Sequence, residues 1–165
     1  MSEHDLDPAQ FRLAMGRLAS GVTVLTTTTD GHDHAMTADT LTSVSLDPIL
    51  VLVCVENETR WLAAVEQAGV FGVSVLSADQ RALAQWFATP GRPLHGQLDR
   101  APHRRGPHTN MALLDGALMH LEGRVTASHA AGDHMIVVAE VLSITLPDDV
   151  GPALVHFRGS YGSIA

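Results

Sequence analysis

Between Met36 and Leu50 the sequence reads M-T-A-D-T-L-T-S-V-S-L-D-P-I-L, a crowd of hydroxyl and acidic side chains that runs into the apolar stretch V-L-V-C-V at 51–55. Main-chain amides and hydroxyls of Thr37, Ala38, Asp39 and Thr40 could meet the polar edge of a flat ring. Ser43 and Ser45, on either side of Val44, share strand parity and so one face. Just downstream, E-N-E-T-R at 56–60 stands where a strand hands over to a helix. A helix N-terminus with free amides, a threonine hydroxyl and an arginine can hold a phosphate. Ring-edge donors and a phosphate cradle flanking one buried strand suit a mononucleotide. The plainer reading of Thr59, as a simple helix cap, is equally open on spacing alone.

Other chemistries find less support. Ten histidines invite a metal site, and His32 and His34 lie on one strand face while His129 and His134 flank a turn. Zinc needs three or four convergent ligands, commonly with a thiolate or carboxylate among them. With one cysteine and no H-E-x-x-H, no native metal site is expected. The local cluster His95, His103, Arg104, Arg105 and His108 is basic in an acidic chain, and reads either as an anion-binding lid or as a solvated loop. No serine occupies a G-x-S-x-G elbow. Cys54 lies inside an apolar strand, where a thiol is usually an inert small hydrophobe.

The elements that must position these groups are mostly strands. Pro8 suits a first helical turn, and the apolar stripe from Phe11 to Leu18 predicts a short helix ended by Gly21. G-V-T-V-L-T-T-T-T-D-G is a β-branched strand closed by an Asp30-Gly31 turn. The next extended stretch runs from His32 to Asp47-Pro48, and I-L-V-L-V-C-V is expected as a strand buried on both faces. Helical spacing follows at 59–68 with a Gly69 stop, then the strand V-F-G-V-S-V-L, then a helix over D-Q-R-A-L-A-Q-W-F-A capped by Ser77 or Asp79. Residues 89–110 are rich in Pro, Gly, His and Arg and predict a long irregular loop. Three more strands complete the chain. Six or seven strands with two or three helices, and few strand-helix alternations, give a mainly β (α+β) class: an antiparallel barrel with helical insertions. No G-x-G-x-x-G occurs, so a doubly wound dinucleotide fold is excluded.

Length and charge set the outer bounds. The 165 residues predict one domain over 1–165, with 1–10 as a flexible N-terminal segment. A net charge of −8 argues against nucleic acid. No apolar window is long enough to span a membrane, no apolar leader is visible, and a lone cysteine fits a reducing cytoplasm.

The blocks G-V-T-V-L-T-T at 21–27, A-M-T-A-D-T-L-T-S-V-S-L-D-P at 35–48, V-L-V-C-V at 51–55, F-G-V-S-V-L at 71–76, A-G-D-H-M-I-V-V-A-E-V at 131–141 and H-F-R-G-S-Y-G at 156–162 together resemble the flavin reductase-like domain family. The resemblance spans Phe11 to Tyr161. It implies an FMN-binding split barrel that forms a homodimer. It implies reduction of FMN or FAD by NADH or NADPH, with the reduced flavin passed to a partner monooxygenase. Met36 to Thr40 and Ser43 to Ser45 would line the isoalloxazine and ribityl chain. Cys54, Val55 and Glu56 would continue that wall, and Thr59 with Arg60 would hold the phosphate. Phe87 and Ala88 would approach the flavin or its adenine half, and His134, His156 and Tyr161 would border the nicotinamide. Hydride transfer between stacked cofactors needs orientation more than a general acid, so His134 is assigned an auxiliary role, orienting the nicotinamide amide. The sequence departs from the family pattern at Asp39, where Ser or Asn is commoner, and at Leu41, Ile49, His120 and Gly123. The alternative is a non-catalytic flavin- or chromophore-binding protein on the same barrel.

Overall fold

The computed structural model describes residues 6–149 and 151–165. The elements are α1 (Pro8–Met15), β1 (Ser20–Gly21), β2 (Thr23–Thr29), β3 (His32–Ala38), β4 (Thr42–Leu46), β5 (Ile49–Glu56), α2 (Arg60–Ala68), β6 (Val70–Val75), a short 3-10 turn (Ala78–Gln80), α3 (Arg81–Ala88), β7 (His103–Arg105), β8 (Ala112–Leu114), β9 (Met119–Ala131), β10 (His134–Thr145), β11 (Ala153–Phe157) and β12 (Ser160–Ile164). Seven strands form one antiparallel sheet in the order β3-β2-β6-β9-β10-β5-β4, and β1, β11 and β12 make a smaller sheet beside it. No helix among the described residues is long and apolar enough to cross a membrane.

The large sheet curls because its inner face is one continuous apolar surface. Leu25, Ala38, Val51, Val53, Val55, Phe71, Val73, Leu121, Val137 and Ala139 pack into a single core, drawn from six of its strands. Helix α2 plugs that barrel with Trp61, Leu62 and Val65, and Trp61 meets Phe71 edge-on at 5.5 Å between ring centres. Thr59 caps α2 by accepting from Leu62 N at 3.3 Å, and Gly69 ends it in the left-handed conformation at φ 72°. The gap between the β3 edge and β5 is bridged by a side chain. Thr40 Oγ1 donates to the Cys54 carbonyl at 2.9 Å and accepts from Cys54 N at 3.0 Å. A second core forms outside β2 and β3, where α3 brings Ala84 and Phe87 and the 89–114 segment brings Leu98, Ala101, Ala112 and Leu114.

Several sequence expectations need adjusting. Residues 8–10, placed in a flexible segment, are the first turn of α1, while 1–5 lie outside the described residues. That helix ends at Met15, not at Gly21, because after the Gly16 bond to the Arg12 carbonyl the chain tightens, Arg17 N donating to Ala14 O and Leu18 N to Met15 O at 3.0 Å each. Strand β5 is not buried on both faces. Val51, Val53 and Val55 point into the barrel, while Leu50, Leu52 and Cys54 on the other face are half-buried, as an antiparallel sheet with one core-facing side requires. Ser43 and Ser45 do not keep their parity. A bulge at Val44 sets Ser43 opposite Val51 and Ser45 opposite Leu50.

The 89–110 segment is ordered in its second half, where β7 pairs with β8. Its basic residues do not converge on an anion. Arg105 grips Asp33 with two bonds of 2.7 Å, and Arg104 reaches His120 at 3.1 Å and Asp115 at 3.7 Å. His103 contacts the Ala101 carbonyl at 2.7 Å, and His95 meets His32 at 3.0 Å. His108 gives its main-chain N–H to Glu122. Glu122 itself is fully buried and accepts from His108 N, Thr109 N, Thr109 Oγ1 and Ser143 Oγ, pinning the 106–109 turn to β9. Gly106 is required at that turn because a Cβ there would overlap the Glu122 carboxyl group.

Candidate functional site

A cleft of about 500 Å³ opens between β3, β5, the start of α2 and the end of α3, a size ordinary for a small-molecule site. Of the residues singled out in sequence, Met36, Thr37, Ala38, Asp39, Thr40, Cys54, Val55, Glu56, Thr59, Arg60, Phe87, Ala88 and His134 all line it. Strand order brings them together. β3 is the sheet's edge, and Thr40 fastens the end of that edge to β5.

Because β3 is an edge strand, half its main-chain groups face the cleft side unpaired by β2. The pattern is fixed by Ala35, whose N–H goes to Gln97 Oε1 at 3.1 Å and whose carbonyl takes Arg92 Nη2 at 2.7 Å. Two residues on, Thr37 presents its N–H and C=O on the same open edge. Its hydroxyl hydrogen is committed elsewhere, to the Ala84 carbonyl of α3 at 2.6 Å. The hydroxyl hydrogen of Thr40 is likewise committed to Cys54. What β3 offers a ring edge is therefore main-chain amide and hydroxyl lone pairs, not the hydroxyl protons that the sequence alone suggests.

One end of the cleft is rich in donors. Arg60 Nη2 crosses from α2 to the Arg92 carbonyl at 2.7 Å, and Arg92 spans from the Thr89 carbonyl, at 2.5 Å, to Ala35. Among the described residues, the buried side-chain nitrogens without any partner are His34 Nδ1, Trp61 Nε1 and Arg92 Nε. All three belong to residues lining this cleft. Burial, helped by the Arg60 charge, holds the His34 imidazole below its ordinary pKa, so it is neutral at pH 7. The Arg60 and Trp61 amides at the start of α2 have no acceptor within the helix. A helix N-terminus beside the Arg60 and Arg92 guanidinium groups fits a phosphate.

Asp39 stands at the far end of β3 from the Arg92–Ala35 contact, whereas Glu56 and His134 line the cleft on the β5 side, where the Glu56 carbonyl accepts from Thr59 N at 3.2 Å beside the start of α2. Asp39 is half-exposed, with Oδ2 3.1 Å from His156 Nδ1 and 3.4 Å from Ser20 Oγ. His134 sits opposite Glu56 in the β10–β5 ladder and its Nδ1 lies 2.6 Å from Asp133. That hydrogen bond holds the Asp133 carboxyl below its usual range. His156 and Tyr161 lie outside the cleft wall and reach it only through Asp39; their rings are 5.7 Å apart. Burial, then the Asp39 charge, raises the Tyr161 hydroxyl above its ordinary pKa. Ser43, Val44 and Ser45 do not line the cleft: β4 pairs with the 49–52 part of β5 and the cleft opens past that ladder, at Cys54–Glu56, while Ser45 Oγ accepts from Asp47 N.

Sequence reasoning missed His34, Trp61, Arg92 and Gln97. His34 was within reach of it, two residues before Met36 and on the same strand face. Arg92 and Gln97 come from irregular backbone, where no periodicity marks which side chains turn inward. Among the described residues no three His, Cys, Asp or Glu side chains converge to hold an ion.

A curled antiparallel barrel with a cleft along its edge strand, lined by Arg60 and Arg92, defines a split-barrel protein. The model of the flavin reductase like domain matches residues 15–165, and the chain belongs to that family. An NADH-dependent flavin reductase from Rhodococcus sp. is 39% identical over 163 residues, covering 97% of this chain and 88% of the relative. BorF, the flavin reductase component of a bacterial two-component tryptophan halogenase, superposes with a TM-score of 0.90 at 40% identity, covering 96% of this chain and 98% of that one. The Streptomyces globisporus C-1027 NADH:FAD oxidoreductase SgcE6, solved with NAD and FAD fragments, gives a TM-score of 0.90 at 32% identity over 98% of this chain and 97% of that one.

Proposed function

We propose that this chain transfers a hydride from NADH or NADPH to FMN or FAD held in the cleft and supplies the reduced flavin to a partner monooxygenase. The observation that carries the reading is one cleft that gathers Arg60, Arg92 and the start of α2 beside the open edge of β3. The flavin, when bound, supplies the electron-accepting centre; the protein supplies orientation and a water-poor face.

Each end of the cleft has its task. Arg60 and the first two amides of α2 hold the phosphate. Thr59, whose hydroxyl already donates to the Glu56 carbonyl, borders it, and Arg92 keeps the 89–92 turn closed over it. The open N–H of Thr37 and the main chain to Thr40 receive the ring's polar edge. Met36, Val55, Phe87 and Ala88 give an apolar wall that limits water beside the reacting face, and Cys54 extends it. His134, at the rim, orients the nicotinamide amide.

The test is steady-state oxidation of NADH and of NADPH, followed by absorbance, with FMN and with FAD. Turnover that depends on added flavin supports the reading. Tight flavin binding without turnover of either nicotinamide refutes it and favours a non-catalytic flavin binder on the same barrel.

The chain works as a homodimer. Helix α1 buries none of its side chains, leaving Phe11, Leu13 and Met15 exposed together with nearby Leu18, and a lone helix of that length is marginal in water. A monomer by light scattering refutes the dimer. Lone Cys54 suits the reducing cytoplasm, and recovery of the protein outside the cytosolic fraction refutes that placement.

A further inference from the structure

Asp39 has no obvious use in holding a phosphate ester. Arg60 and the Arg92 contact to Ala35 mark the arginine-bearing end of β3. Asp39 stands five residues beyond His34, about 16 Å away in extended chain. A phosphate settles at the arginine-bearing end, so the ring of the same ligand extends toward Thr40, Cys54 and Asp39. The side chain of Asp39 keeps 45% of its area exposed. It accepts from Ser20 Oγ and lies beside one ring nitrogen of His156. Neither partner is an arginine or lysine. The other carboxylates lining the cleft, Glu56 and Glu58, stand just before Thr59 at the start of α2.

This arrangement distinguishes the two redox forms of the ligand. Hydride transfer breaks the C–H bond of the dihydronicotinamide, which leaves as the oxidised nicotinamide, and forms an N–H bond on the flavin. Two electrons and one proton thus arrive on a neutral ring, which becomes one charge more negative. We propose that Asp39 is a specificity-determining residue that weakens binding of reduced flavin relative to oxidised flavin, and so drives release of the product. The inference rests on the flavin reductase reading of the cleft. The ribityl phosphate is the same in both forms, so the arginine-bearing end cannot discriminate between them. The carboxylate can, because its repulsion grows only once the ring is reduced.

The experiment measures dissociation constants anaerobically for oxidised FMN and for dithionite-reduced FMN, in the wild type, Asp39→Asn and Glu66→Gln. Asparagine keeps the shape and an acceptor for Ser20. Glu66→Gln removes the same charge from the exposed face of α2, outside the cleft. The ratio of reduced to oxidised dissociation constants exceeds one in the wild type and falls about three- to tenfold in Asp39→Asn, as expected for one charge across a partly solvated gap. The midpoint potential of bound FMN rises in parallel. The proposal is overturned if FMN binds and Asp39→Asn leaves ratio and potential unchanged. It is also overturned if Glu66→Gln shifts them equally, which would make the effect one of overall charge. Failure of the wild type to bind oxidised FMN overturns the flavin reading itself, and this proposal with it.

Discussion

Replacing Thr40 by valine tests how the barrel and its cleft are joined. Valine keeps the branched shape but removes the one oxygen that serves both main-chain groups of Cys54, at 2.9 and 3.0 Å. Neither flanking strand reaches Cys54, since β3 ends at Ala38 and the β4–β5 ladder begins at Thr42 opposite Leu52. The site is half-buried, so each stranded group costs about 1–2 kcal/mol, the lower part of the range for an unmade buried bond. The two together come to about 2–4 kcal/mol. For a chain of this size that lowers the melting temperature by about 4–16 °C. Thr40→Ser keeps the hydroxyl and loses a methyl group worth about 0.8 kcal/mol. Thermal unfolding of both variants, with FMN titrated by flavin fluorescence, reads stability and site together. Valine should melt well below serine and bind FMN more weakly. Equal melting temperatures for the two variants would refute the idea that this oxygen closes the barrel.

Arg60→Ala should weaken FMN binding about ten- to a hundredfold, the worth of a charge-assisted bond. It should leave riboflavin, which lacks the phosphate, nearly unaffected, and parallel titrations of the two ligands decide it. Glu122 predicts acid behaviour. Burial pushes its carboxyl up, but the donors Ser143, Thr109 and His108 outweigh burial and hold it below the ordinary 4.5. Its folded pKa is thus depressed, so its contribution is complete above pH 4.5 and is lost as pH falls through the lower folded value. Wild-type melting temperature should fall more steeply below pH 4.5 than that of Glu122→Gln, as calorimetry across pH 3–7 would read.

Much of this molecule was legible from local pattern. The Asp30-Gly31 turn, with both residues at positive φ, the Thr59 cap and the Gly69 stop are local consequences of residue type. So was most of the cleft wall, because Met36–Thr40 and Cys54–Glu56 each lie on one continuous stretch. Other features depend on what lies opposite. The bulge at Val44 arises from pairing with β5. The basic residues at 103–108 find Asp33, Asp115, His120 and Glu122, partners far along the chain.

The sequence by itself determined the class of fold, the antiparallel strands and the stretch that borders the ligand, because side-chain period and turn chemistry act over a few residues. Tertiary structure alone decided that His34, Trp61 and Arg92 share one cleft, that Arg60 reaches across to the Arg92 carbonyl, and that Asp39 is turned toward His156. Those juxtapositions join β3, α2, β11 and a loop, and no local periodicity encodes which distant groups meet when a sheet curls.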